Sequence, residues 1–180
     1  MIVTMPEEIL CTIREYRLPR FKDIPNVGLY LDQVVKYLNE YLSLYPEMEV
    51  TGSMVSNYVK KHLIANPVKK LYQREQIAYL MFIALAKTVV SLDHVRMLIA
   101  MQQETYEVAV AYDYACDEFE RALKRAFFRT QPPTACEDTP PEGAKNLEEK
   151  FLLHQIACTA ANKVYLEKSF QVLETASQGQ

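Results

Sequence analysis

Apolar residues recur at three- and four-residue intervals along almost the whole chain. Between Leu29 and Leu44, the residues Leu31, Val34, Val35, Leu38, Tyr41 and Leu42 fall on one stripe of an amphipathic helix. A short first helix is expected around Glu7 to Tyr16. It is followed by LPRFKDIPN, whose Pro19 and Pro25 disfavour helix and predict an extended connector. Pro46 closes the second helical region, and Thr51 or Ser53 can cap a short third helix from Gly52 to His62. A turn at Ala65-Asn66-Pro67 leads into a strand-like VKKLY. From Gln73, Ile77, Leu80, Met81, Ile83, Ala84 and Val89 mark a fourth helix, and Ser91 caps a fifth that runs to Met101. Between Glu104 and Arg129 the interval is held by Val108, Tyr112, Ala115, Phe119, Ala122, Leu123, Ala126 and Phe127 for about seven turns. The segment Thr130 to Asn146 contains two Pro-Pro pairs and reads as a loop or linker. A last long helix runs from Leu147 to Ala176, with Leu152, Ile156, Val164, Tyr165, Phe170 and Leu173 on its apolar side. Strand signals are nearly absent and no repeat is visible, so the expected class is all-α.

Composition narrows the function classes. With 180 residues and an apolar fraction of 49%, the chain can fill a real core. Its four glycines lie far apart, so no Gly-rich turn lets the backbone approach a phosphate, and nucleotide-binding α/β folds become unattractive. Cys11, Cys116, Cys136 and Cys158 form no CxxC pair, which fits reduced thiols and a cytoplasmic location. The opening MIVTMPEEIL does not resemble a secretory signal. The longest apolar stretch, Tyr79 to Ala86, is too short for a membrane span.

Charge changes the picture most. The formal net charge is −3, yet TGSMVSNYVKKHLIANPVKKLYQR, Thr51 to Arg74, contains Lys60, Lys61, Lys69, Lys70 and Arg74 and no Asp or Glu. Run purity of this kind points to an anionic partner. If Val55, Tyr58 or Val59, and Leu63 face the core, helical spacing turns Ser53, Ser56, Asn57 and Lys60 outward. Such a face suits the major groove of duplex DNA. There Asn can pair with an adenine edge, while Lys69, Lys70 and Arg74 would meet phosphate beside it.

The order of residues through this region resembles the DNA-binding domain of MerR-like regulators. The matching residues are Asn57-Tyr58, His62-Leu63-Ile64, Pro67, Lys69-Lys70, Tyr72, Glu75-Gln76, Phe82-Ile83 and the VSLDHVRMLI that opens the next helix. The likeness covers Val50 to Ile99. Two features differ: VKKLY is shorter than the usual wing and has no glycine, and His62 stands where glycine is common. The connection SLYPEMEVTGS is also long for a helix-turn-helix. Over a longer span, LPRFKDIPNVGLYLDQVVKYLNEYL with this block resembles the bacterial domain of unknown function family eighteen thirty-six. The resemblance implies an N-terminal helix and connector over 1–26, a winged helix-turn-helix over 27–101, and a long-helix region over 102–180 for dimerisation or effector response.

Other clusters have plainer readings. His62, His94 and His154 show no metal-ligand spacing, so neither metal nor cofactor is expected. Asp113, Asp117, Glu118 and Glu120 could imitate a paired-carboxylate site, but solvated helix charges explain them. The aromatic residues between Tyr106 and Phe128 could line an effector pocket, or form a seam on the last helix or on a second subunit in which Phe119 and Leu123 would lie. The expected function is therefore a non-enzymatic, homodimeric transcriptional regulator. It binds double-stranded DNA through Ser53, Ser56, Asn57, Tyr58, Lys60, Lys61, Lys69, Lys70, Tyr72 and Arg74, and a small-molecule effector is possible. The alternative is a helical interaction module whose basic face docks an acidic protein.

Overall fold

The helical periodicity is realised in seven α-helices among the described residues: α1 (Glu7–Glu15), α2 (Leu31–Leu42), α3 (Gly52–Lys60), α4 (Arg74–Ala86), α5 (Leu92–Thr105), α6 (Val108–Phe127) and α7 (Leu147–Gln178). The computed structural model describes residues 4–128 and 147–178. Within them, extended pairing is confined to two isolated bridges, Leu29 with Tyr72 and Val68 with Leu71. The fold is all-α. The Pro-rich segment expected as a loop over 130–146, with its Cys136, lies outside the described residues.

Two details depart from the periodicity. The connector expected to be extended contains a 3₁₀ turn at Phe21–Asp23. The boundary between α5 and α6 falls at Tyr106 and Glu107, beyond the expected end of α5 at Met101. No Pro or Gly marks that break. It is closed by the Gln102 side chain, which donates to the Tyr106 carbonyl at 2.6 Å, while Tyr106 itself is extended.

Packing divides the chain into two compact units, residues 18–117 and residues 1–17 with 118–180. In the first, α4 is buried nearly all round through Gln76, Ile77, Ala78, Leu80, Met81, Ile83, Ala84, Leu85 and Ala86. A helix without a polar side belongs in a core, and each large aliphatic residue buried there contributes about 1.5–3 kcal/mol. Helix α2 supplies Val34, Leu38 and Leu42 to the same core.

The long connection from α2 to α3 is anchored along its length. Leu44, Tyr45, Met48 and Val50 are buried, and the Asn39 side chain both donates to the Val50 carbonyl and accepts from the Val50 N–H, each at 2.9 Å. The Lys87 ammonium, at the end of α4, donates to the Glu49 carbonyl at 2.7 Å. Burial holds the Lys87 pKa below its ordinary value, and the nearby Glu47 and Glu49 oppose that shift.

The N-terminal connector of this unit lies on the first half of α6. The buried Tyr112 hydroxyl donates to the Pro19 carbonyl at 2.9 Å, the Phe21 N–H to Asp113 at 2.7 Å, and Arg20 pairs with Asp117 at 2.7 Å. Arg74 reaches back to the Ile24 carbonyl at 2.8 Å and covers the Phe21 ring.

In the second unit, α1 places Tyr16 edge-on to Phe119 at 6.3 Å, and Phe127 meets Tyr165 of α7 at 5.2 Å. Ala157, Ala160, Ala161, Val164 and Ser169 are buried positions of α7. Phe119 and Leu123, expected in a seam on the last helix or on a second subunit, are 2% and 1% exposed and fill this unit's own core. The acidic cluster on α6 is likewise no solvated face. Asp113 and Asp117 hold the connector, Glu120 is buried with Arg17 at 3.9 Å, and Glu118 is buried between Arg121 and His154. Periodicity could not reveal this, because most of the partners come from elsewhere in the chain.

Asn39→Ala removes both bonds to Val50 and is expected to cost about 2–3 kcal/mol, at about 1 kcal/mol or more for each half-buried hydrogen bond. Urea unfolding measures the loss, and an unmoved midpoint would show that the apolar residues alone hold the connection.

Candidate nucleic-acid interface

Helix α3 starts because Thr51 is extended and its hydroxyl accepts from the Met54 N–H at 3.3 Å, satisfying one of the free donors of the first turn. Val55 and Tyr58 turn inward and are buried, leaving Ser53, Met54, Asn57, Lys60 and Lys61 exposed on one side. The helix ends in a Schellman motif. Lys61 is the C-cap, His62 follows at φ 55°, and the His62 and Leu63 N–H groups donate to the Val59 and Tyr58 carbonyls, each at 3.0 Å. Leu63 and Tyr58, the two positions whose side chains commonly accompany the motif, are both buried. A histidine here accepts a left-handed conformation that glycine adopts without cost.

The chain then passes Ala65, whose carbonyl accepts from the Gln76 side chain at 2.8 Å, and forms a minimal hairpin. Val68 and Leu71 exchange both backbone bonds, at 3.1 and 2.9 Å, around Lys69 at φ 51° and Lys70 at φ 67°. Two consecutive positive φ values identify the tight two-residue turn that normally selects Asn-Gly. Here it carries two lysines, both exposed. A second bridge, Leu29 with Tyr72, ties the hairpin to the residues before α2, and it requires Gly28. A Cβ on Gly28 would lie 2.8 Å from the Leu71 Cβ.

The ten residues expected to meet DNA therefore separate. Ser53, Asn57, Lys60, Lys61, Lys69 and Lys70 are exposed, and among the described residues none of these four lysines is in an ion pair. Ser56 is half-buried and donates to the Gly52 carbonyl at 2.9 Å. Tyr58 and Tyr72 are 3% and 5% exposed; burial raises the pKa of both phenols, and both pack inside. Arg74 is held on the connector. Arg96, which the sequence reading missed, donates to the Lys61 carbonyl at 3.0 Å, where the helix dipole favours a cation, and is paired through its other nitrogen with Asp93 at 3.0 Å. Its separation of 35 residues from Lys61 hid it. Among the described residues, His, Cys, Asp and Glu form no group of three or more able to hold a metal ion.

The description "Domain of unknown function (DUF1836)" matches residues 19–115. The chain belongs to the DUF1836 family. The matched region runs from the connector through α5 into α6 and coincides closely with the unit at residues 18–117. Helix α3 and the hairpin thus lie within the DUF1836 domain. No curated protein and no solved structure matches the chain.

Replacing Lys70 with Gly removes one left-handed L-residue, worth about 1–2 kcal/mol, and Lys69 with Asn lessens the cost of the other because Asn tolerates that region, against about 1 kcal/mol of added unfolded-state freedom at glycine. The double variant should gain about 1–2 kcal/mol in denaturant unfolding; a loss of stability would mean that the lysine side chains hold the turn.

Proposed function

We propose that this DUF1836 protein is a DNA-binding transcriptional regulator with a MerR-like winged helix-turn-helix, in which α3 is the recognition helix and the Val68–Leu71 hairpin the wing. The observation that carries the reading is the pair of exposed lysines held at positive φ at the hairpin tip. Strain of this kind persists where a function needs the side chains. Asn57 and Ser53 on α3 would read base edges; Lys60, Lys61, Lys69, Lys70 and Arg96 would meet phosphates and fix register. The proposed role is non-enzymatic and cytoplasmic. Among the described residues no helix is long and apolar enough to cross a membrane.

Duplex recognition by one helix offers few contacts, so a homodimer is part of the proposal. Its seam is assigned to α7 rather than to Phe119 and Leu123. Leu166, Phe170 and Leu173 stand at i, i+4 and i+7 and are 55%, 58% and 37% exposed, and Phe151 and Leu152 add to the exposed apolar surface of the helix.

One observation favours the second reading, docking of an acidic protein: Met54 and Val68, beside the cations, are 39% and 63% exposed. Binding to DNA and to a protein respond differently to substitution. Lys69→Ala with Lys70→Ala should weaken binding to all duplexes alike and lower the salt slope by about one for each lysine on phosphate. Asn57→Ala should cost about 1–3 kcal/mol on the preferred site and little on random duplex. Fluorescence anisotropy across a salt series reads both, and folded variants that leave duplex binding unchanged would transfer the face to a protein partner.

Leu166→Glu with Phe170→Glu alters exposed positions only, so the fold should survive. Light scattering at micromolar concentration is expected to move from dimer to monomer, and an unchanged mass would place the seam elsewhere.

A further inference from the structure

A second group of reactive side chains lies in the unit that contains α7. Glu118 on α6 is 7% exposed, an uncommon place for a carboxylate. One of its oxygens accepts from the Arg121 guanidinium, and the other, Oε2, lies 2.8 Å from Nδ1 of His154. The ionised carboxylate has no proton to give, so Nδ1 carries it and Nε2 presents a lone pair. Nε2 lies 3.5 Å from Sγ of Cys158, one turn further along α7. Cys158 is half-buried and in no disulfide.

We propose that Cys158, His154 and Glu118 form a thiol–imidazole–carboxylate relay that makes Cys158 a modification site for small α,β-unsaturated carbonyl compounds. Nucleophilic thiols need a base within reach and a third group that orients the base. Here His154 takes the thiol proton through Nε2, and Glu118 stabilises the imidazolium through Nδ1. The thiolate sulfur bonds to the β-carbon, the C=C electron pair moves toward the carbonyl to give an enolate, and the enolate carbon takes the proton held on His154. The sum is addition of S–H across the double bond, with no oxidant, and His154 returns to neutral. A buried Glu–His pair that merely locks α6 to α7 requires no thiol at Nε2 and predicts ordinary cysteine reactivity.

The experiment treats the full-length protein with acrylamide at about pH 6.5, well below the ordinary thiol pKa, and follows adducts peptide by peptide by mass spectrometry. Cys11, half-buried on α1, is the reference, and buried Cys116 reports unfolding. Cys158 should react at least about tenfold faster than Cys11, and its rate should change little between pH 6.5 and 8, whereas an ordinary thiol gains about tenfold per pH unit. His154→Gln should return Cys158 to the rate and pH profile of Cys11, and Glu118→Gln should give an intermediate rate. The proposal is overturned if Cys158 reacts no faster than Cys11 with an ordinary profile, or if folded His154→Gln reacts like the wild type. Should His154→Gln unfold and expose Cys116, the wild-type rate ratio and profile decide alone.

Discussion

A helix that is apolar on every side must be enclosed, and the enclosure of α4 determines where α3 can go. Helix α4 is buried along its length, and its two ends hold the two flanks of α3. At the C-terminal end Lys87 binds the Glu49 carbonyl, shortly before α3 begins; at the N-terminal end Gln76 binds the Ala65 carbonyl, shortly after it ends. The same Gln76 accepts from the Gln73 N–H at 2.7 Å and so caps the helix it belongs to. With Asn39 clamping Val50 as well, a short helix of nine residues, which would be unstable alone, keeps its outer face in one orientation.

Much of this was legible in the sequence, for reasons that can be named. The apolar interval located the seven helices among the described residues, although α4 is buried nearly all round rather than along one stripe, and Thr51 and Ser91 act as caps as their positions foretold. Charge purity located the exposed lysines. Information carried by distant residues was not legible: the pairing of α6 carboxylates with Arg17, Arg20, the Phe21 N–H and His154, and the reach of Arg96 to Lys61. Tyr72 and Arg74 both stand in a basic run, where a bulky aromatic after a turn is read as buried and an arginine as exposed. The first is buried beside a bridge to Leu29, and the second is turned toward Ile24. Their fate depends on Gly28 admitting the hairpin at close range, which no local pattern announces.

The hairpin sets two demands against each other. A tight turn between Val68 and Leu71 selects residues that tolerate positive φ, and under the proposed function a tip facing phosphate selects cations. Lysine satisfies the second at the expense of the first, and it does so twice in succession. The fold can tolerate that strain because the Leu29–Tyr72 bridge and the buried Tyr72 ring hold the base of the hairpin independently of its tip.

Beside the charged anchors Lys87 on Glu49 and Arg20 on Asp117, three others that orient α3 and the connector differ in kind from the cationic surface they support. Asn39 on Val50, Gln76 on Ala65 and Tyr112 on Pro19 are bonds between neutral groups, and burial raises the Tyr112 phenol above its ordinary range. Mobile ions screen charges and leave such bonds almost untouched. If the lysines hold an anionic partner as proposed, a rise in ionic strength would loosen that hold far more than it loosens the neutral bonds beneath, so release of the partner need not unmake these anchors.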